Sequence, residues 1–269
     1  MSMGDIFTVS ASSQVKAEHR GHVIVSGSYG GEYNAYHAGK WGLRGVVLND
    51  AGIGRDDAGI KGLPYLDAIG LPAATADCWT CHIADGEHML AHGVISHVNQ
   101  AAARLGCKPG DTVRATAERM RSAPPAEGEL APIAGGKRYT IRDVAGEPRL
   151  ICLDAAPLLV PGDAGAIAVT GSHAALFRGQ PDGVISVELT GVFFSDGGIG
   201  MDNAGITRLA DLDKRRMPAG AAAAASAAIG NARQIHAEGI LSSVNETAQE
   251  RGIVPGMGVR EAVEILARG

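Results

Sequence analysis

The sequence predicts an α/β protein, built as a tandem duplication of a mostly parallel strand–helix unit whose two halves are related by a pseudo-twofold. Three observations predict it. First, residues 45–113 align with 191–259 without a gap at a constant offset of ~146, with about a third of positions identical. Second, the matches fall on polar and turn residues as well as Ala and Gly: Asp50/Asp196, Asp56/Asp202, Leu66-Asp67/Leu212-Asp213, Ser96/Ser242, Asn99/Asn245 and Pro109-Gly110/Pro255-Gly256. Compositional bias does not produce that pattern. Third, each copy runs strand, helix, strand, helix, the order of a parallel sheet with right-handed crossovers.

Taken in order, Ile6–Ser10 reads as a short strand and His22–Ser26 as a buried one, which leads into Gly27-Ser28-Tyr29-Gly30-Gly31. Gly45–Asn49 is the next strand, and Ala58–Ile69 is expected to be helical. Pro72–Ala76 reads as a further strand, since Pro suits a strand start. Helices are expected near Ile83–Ala91 and Ile95–Leu105, and Asp111 is placed to cap another over Thr112–Arg121. Ser96 and Ser242, each before a helical pattern, read as N-caps. Asn99 and Asn245 follow in the same frames, within reach of a central cleft.

Residues 1–121 form the first α/β repeat on this reading. Residues 122–136, rich in Pro and Gly without periodicity, are the linker. Residues 137–269 form the second repeat, with added strands in 137–165 and a repeat core at 166–266. Ala166–Thr170 and Gly171-Ser172-His173 match the strand and turn at 22–29.

The 269 residues suffice to bury a real core, and 45% hydrophobic with 20% charged residues is a globular composition. A formal net charge of −5 without a basic stripe argues against nucleic acid. No apolar run reaches the ~18 residues of a membrane helix. Met1–Gln14 lacks the basic and apolar regions of a signal peptide. The four cysteines therefore read as reduced thiols in a cytoplasmic protein. The alanine-rich stretch 219–228 offers a surface for a homo-oligomer or, equally, belongs to the core.

In open α/β sheets, ligands bind beyond the carboxyl ends of the strands. That rule selects the loops at 26–31, 49–57, 170–175 and 195–203. Asp50 and Asp196 sit at strand tips, where each serves as general base, metal ligand or hydroxyl acceptor, or caps its own loop. Ser28 in its glycine turn suggests a nucleophile with an oxyanion hole, or a ligand-binding loop. Only the second copy places a base, His173, beside the serine, Ser172. Substrate-binding positions are expected at Ser26, Gly27, Ser28, Tyr29, Gly30, Gly31, Asn49, Asp57, Ser172 and Asn203.

The copies differ most at Cys78-Trp79-Thr80-Cys81-His82, which the second copy replaces with Ala224, Ala225, Ser226, Ala227 and Ala228. Three chemical readings compete with simple packing. Cys-x-x-Cys-His is the c-type haem attachment pattern, but it follows a strand here in a chain with no export signal. A metal ion could use His88, His92 or His97 with these residues, although no ligand set is fixed by spacing. A reactive thiol, Cys78 or Cys81, would have His82 as its base. No nucleotide-cofactor motif is present.

Together these features predict a small-molecule enzyme, a hydrolase acting on C–N bonds or a lyase, with a polar amide or carboxylate substrate. The expected site is a cleft formed by the Gly-rich strand-tip loops of both halves, and its catalytic candidates are Asp50, Asp196, Cys78, His82 and His173. The alternative is a non-catalytic small-ligand or metal-sensing module.

Overall fold

The computed structural model describes residues 3–134 and 136–269. Met1 and Ser2 of the expected first repeat and Gly135 of the expected linker lie outside the described residues. The chain forms two compact units. Unit 1 comprises Met1–Ile53, Asp57–Gly135 and Gly200–Ala204; unit 2 comprises Gly54–Asp56, Gly136–Ile199 and Gly205–Gly269. Each unit thus includes a short stretch from the other half of the sequence.

Unit 1 holds strands β1 (Ile6–Val9), β2 (Val23–Tyr29), β3 (Gly45–Asn49), β4 (Ala73–Ala76) and β5 (Ile95–Val98), in the sheet order β1-β2-β3-β4-β5. The first four are parallel, and β5 returns antiparallel to β4. Its helices are α1 (Glu32–Gly39), α2 (Gly62–Asp67), α3 (Gly86–His92), α4 (Gln100–Arg104) and α5 (Val113–Met120). The strands read as continuous apolar runs because both faces of the sheet are covered. Val23, Val25, Val47, Ala74 and Ala76 pack with Met89, Val113, Ala117 and Met120. Ile24, Val46, Leu48 and Ala73 point the other way, onto Ala35, Ala38, Leu63 and Leu66. Fully burying each of the larger aliphatic side chains contributes about 1.5–3 kcal/mol. α1 and α2 pack on the same face of the sheet, where Ala35 and Ala38 meet Leu63 and Leu66.

Unit 2 holds β6 (Arg138–Arg142), β7 (Leu150–Leu153), β8 (Ile167–His173), β9 (Gly191–Ser195), β10 (Ala219–Ala222) and β11 (Leu241–Val244), in the order β11-β10-β9-β8-β7-β6. The inner strands are parallel, and both edge strands are antiparallel to their neighbours. Its helices are α6 (Arg208–Asp213), α7 (Ala232–Glu238), α8 (Glu246–Gln249) and α9 (Val259–Ala267). β9 and β10 pair in the register Val192↔Ala219, as β3 and β4 pair Val46↔Ala73. β7 pairs with β8 as β1 pairs with β2, Leu150↔Ile167 against Ile6↔Val23. Of the two strands in the added stretch, only β6 is without a counterpart in the sheet of unit 1. Where unit 1 has α1, residues 174–190 form a loop around Pro181-Asp182-Gly183, a turn sequence that stops a helix. The buried Arg208 holds that loop, with Nη1 and Nη2 2.5 and 2.9 Å from the two Asp182 carboxylate oxygens.

Several local expectations change. The helix expected over 58–69 narrows to α2, with turn residues before it and, after it, a turn that ends on the left-handed Gly70. The helix expected over Ile95–Leu105 is strand β5 followed by α4. Ser96 lies on β5 and hydrogen-bonds Thr75, so it caps nothing. The N-cap of α4 is Asn99, whose Oδ1 accepts from Ala102 N–H at 2.9 Å. The cap of α5 is Thr112 rather than Asp111. Among the described residues, no helix is long and apolar enough to cross a membrane.

Candidate functional site at the tips of β3 and β4

The backbone after β3 turns the wrong way for L-residues. Ala51, Gly52, Ile53 and Gly54 have φ of 48°, 73°, 62° and 72°; after β9, Gly197, Gly198, Ile199 and Gly200 have 58°, 78°, 60° and 69°. A β-branched residue with positive φ is a genuine outlier and stores strain. The turn is held by Ile53 N–H to Asp50 O at 2.7 Å and by Ile199 N–H to Asp196 O at 2.9 Å. Asp57 and Asn203 are also left-handed, with φ of 55° and 58°. Asp and Asn adopt that conformation at least cost among non-glycine residues, which supplies a structural reason for both.

β3 and β4 are parallel neighbours, so their carboxyl ends put Asn49-Asp50 beside Asp77-Cys78. Asp50 is buried, and its Oδ1 accepts from the N–H groups of Gly52 and Cys78, both at 3.0 Å. Asn49 Oδ1 accepts from Ala51 N–H at 2.9 Å, and its Nδ2 lies 3.7 Å from Cys81 Sγ. Asp77 Oδ1 caps the turn by accepting from Trp79 N–H at 2.8 Å. One ligand atom each from Asp50, Asp77 and Cys78 lie within 4.8 Å of one another. Among the described residues, no such grouping includes His82, His88, His92 or His97, the histidines weighed for metal binding from sequence. Burial pushes the Cys78 thiol far above its ordinary range, reinforced by the negative charges of Asp50 and Asp77. Burial likewise pushes Cys81 up to about 12. Neither is an activated thiolate, and His82 is hydrogen-bonded elsewhere.

His82 follows that turn. Its Nε2 lies 2.9 Å from Asp202 Oδ2, and Asp202 belongs to the Gly200–Ala204 stretch of unit 1. The same stretch is anchored by Met201 N–H donating to Cys78 O at 2.8 Å. The His82 ring stacks on His88 with centroids 3.7 Å apart and planes 9° apart, and His88 lies 4.5 Å from His92. His88 Nδ1 accepts from His82 N–H at 3.2 Å. Burial, and then the charges of His82 and His92, holds His88 below its ordinary value. Asp85 Oδ1 caps α3 through the N–H groups of Glu87 and His88, and so fixes where the histidine face begins.

The glycine–serine stretch does different work from that expected. Gly27, Ser28 and Tyr29 are the last residues of β2 instead of a sharp turn. Ser28 Oγ accepts from Ser12 N–H at 2.9 Å, and Ser172 Oγ accepts from Ala156 N–H at the same distance. Ser26 Oγ bonds Ser12 Oγ at 3.1 Å. A Cβ on Gly27 would lie 2.5 Å from the Ala84 carbonyl carbon, so that glycine admits the chain before α3. Gly30 N–H donates to Asn49 O at 2.8 Å, and Gly31 O accepts from Ala35 N–H at 2.9 Å. Gly30 N–H is therefore committed to the fold and does not form half of an oxyanion hole. The Tyr29 carbonyl accepts from Asn34 Nδ2 at 3.0 Å.

In unit 2, Asp196 is buried and accepts from Gly198 N–H, Ala224 N–H and Ser242 Oγ at 2.9, 2.9 and 2.8 Å. Burial raises its carboxyl above the ordinary range despite these donors. His173 is pushed down to about 4 by burial and then by Arg208, and its Nδ1 accepts from Ala175 N–H at 3.2 Å. It is a weak base.

Sequence reasoning did not single out Asp77 or Asp202 as site residues. The signals were present: Asp77 has Ala223 as its counterpart, and Asp202 matches Asp56 across the alignment. Compared with known protein families, curated proteins and solved structures, the chain matches none.

Proposed function

We propose that the chain is a small-molecule enzyme, a hydrolase of C–N bonds or a lyase, acting on a polar amide or carboxylate. In this reading it is a tandem duplication whose first copy carries the specialised site, and it acts in the cytoplasm as a homo-oligomer. The observation that carries the catalytic reading is the His82–Asp202 pair at 2.9 Å, beside the stacked His88. A carboxylate on Nε2 fixes the tautomer that leaves Nδ1 as the proton acceptor. For an amide, His82 Nδ1 takes a proton from water as its oxygen adds to the carbonyl carbon. The C–N bond breaks as that proton passes to the leaving nitrogen. Amide groups of the strand-tip loops would orient the substrate's oxygens. The raised thiols argue for water, and against Cys78, as the attacking group.

The duplication reading rests on repeated wiring as well as on sequence. Asn99 and Asn245 each bond the same four backbone positions, offset by ~146 residues. A second reading, a non-catalytic ligand or metal sensor, is favoured by one observation: Trp79, within the turn, is 61% exposed. An exposed indole suits a recognition surface.

The test is turnover. The purified chain is incubated with a panel of linear and cyclic amides, amino acids and hydroxy acids, and products are followed by NMR. Turnover that falls at least a hundredfold in His82→Ala supports the enzyme. Binding without turnover across the panel returns the sensor reading, and turnover unchanged in His82→Ala overturns the assigned base.

A further inference from the structure

We infer that Asp50, Asp77 and Cys78 bind a single divalent transition-metal ion of the zinc class. The inference concerns the same tip of unit 1 but does not depend on catalysis.

Three ligand atoms, two carboxylate oxygens and one sulfur, lie within 4.8 Å of one another. Tetrahedral zinc with bonds of ~2.0–2.3 Å spaces its ligands by about 3.5 Å, so an inward movement of about 1 Å closes the set. A thiolate with two carboxylates suits zinc, cobalt(II) or iron(II), whereas magnesium and calcium take oxygen ligands alone. Three protein ligands leave a fourth position open, as in reactive zinc sites.

Asp50 and Cys78 are 4% and 1% exposed. Among the described residues, neither Asp50 nor Asp77 forms an ion pair. Buried charges are paired or coordinate metals. Here two carboxylates face a thiol with no protein cation to balance them.

Asp196 occupies the same place on unit 2, with the same two backbone donors, but its outer oxygen is taken by Ser242 Oγ. The corresponding Ser96 instead bonds Thr75, and the Asp50 side chain hydrogen-bonds the Cys78 thiol. Asp77 and Cys78 have Ala223 and Ala224 as counterparts, and the backbone bonds of the turn are the same: Thr80 N–H to Asp77 O, Ser226 N–H to Ala223 O. The turn therefore folds without the second carboxylate and the thiol. The two amides on Asp50 Oδ1 would then serve as the outer shell that orients a ligand.

Binding replaces the thiol proton: the metal ion forms a bond to Cys78 Sγ and one proton leaves to solvent. The test uses the full chain, stripped with a chelator and titrated with Co²⁺. One equivalent is expected, with a thiolate-to-cobalt charge-transfer band and release of a proton. The band should vanish in Cys78→Ala and survive in Cys81→Ala. Asp77→Asn, at a partly exposed position that tolerates alanine in the other unit, should weaken binding at least tenfold without loss of fold. Mg²⁺ in excess should not compete. A chain that binds no cobalt, or a band that survives Cys78→Ala, overturns the inference. Metal bound without turnover would sink only the enzyme reading, and turnover that survives complete chelation would leave that reading standing while removing any metal from it.

Discussion

His82 and Asp202, separated by 120 residues in sequence, meet at 2.9 Å between Nε2 and Oδ2. The imidazole is about a third exposed on its side chain and the carboxylate 70% exposed, so the pair sits where a ligand can reach it. Asp202→Asn should lower turnover tenfold or more while changing stability by less than about 0.5 kcal/mol, since exposed substitutions cost little. Parallel kinetics and urea melts separate the two effects. An equal fall in stability would make the pair structural.

The thiols should be sluggish. Burial drives Cys78 far above its ordinary range and pushes Cys81 and Cys152 up to about 12. All four cysteines are buried. The native protein should therefore react slowly with a disulfide reagent near pH 8 and release four equivalents rapidly in denaturant. A single fast equivalent in the native state would revive the covalent mechanism.

Asn99 and Asn245 act as clamps. Asn99 Oδ1 accepts from Ala73 and Ala102 N–H groups at 2.9 Å, and its Nδ2 donates to Leu71 O at 2.8 Å. Replacing either asparagine with alanine strands several buried backbone groups and should cost about 3 kcal/mol. A denaturant midpoint that barely moves would show the clamp to be redundant.

Acid should weaken the fold before the carboxylates titrate. His173 is held down at about 4 against an ordinary 6.5, by burial and then Arg208. The unfolded chain takes the proton first. The contribution is thus complete above the unfolded value and is lost as pH falls from 6.5 toward 4. At pH ~5 the loss is about 2 kcal/mol. Stability measured from pH ~7.5 to ~5 should fall by that order, and His173→Asn should flatten the curve. An unchanged slope in the variant would assign the effect to His88 and His236, which burial also holds below the ordinary value.

Much of the fold was legible because strands buried on both faces leave unbroken apolar runs, as at Gly45–Asn49 and Ala166–Thr170. β5 was not, because Ile-Ser-His-Val is short and carries no alternation that distinguishes it from a helix start. The glycine stretch at 27–31 misled because close backbone approach and a ligand loop use the same residue. In the site, Asp50 was readable from its place at a strand tip. The partner of His82 was not, since spacing says nothing about a residue 120 positions away.

The turns after β4 and β10 share one backbone wiring and almost none of their side chains. Asp50 N–H reaches Ala76 O at 2.9 Å, and Asp196 N–H reaches Ala222 O at 2.8 Å. Such a mounting does not register what is fastened to it. Ala223→Asp with Ala224→Cys would place on the turn of unit 2 the side chains that Asp77 and Cys78 carry on unit 1.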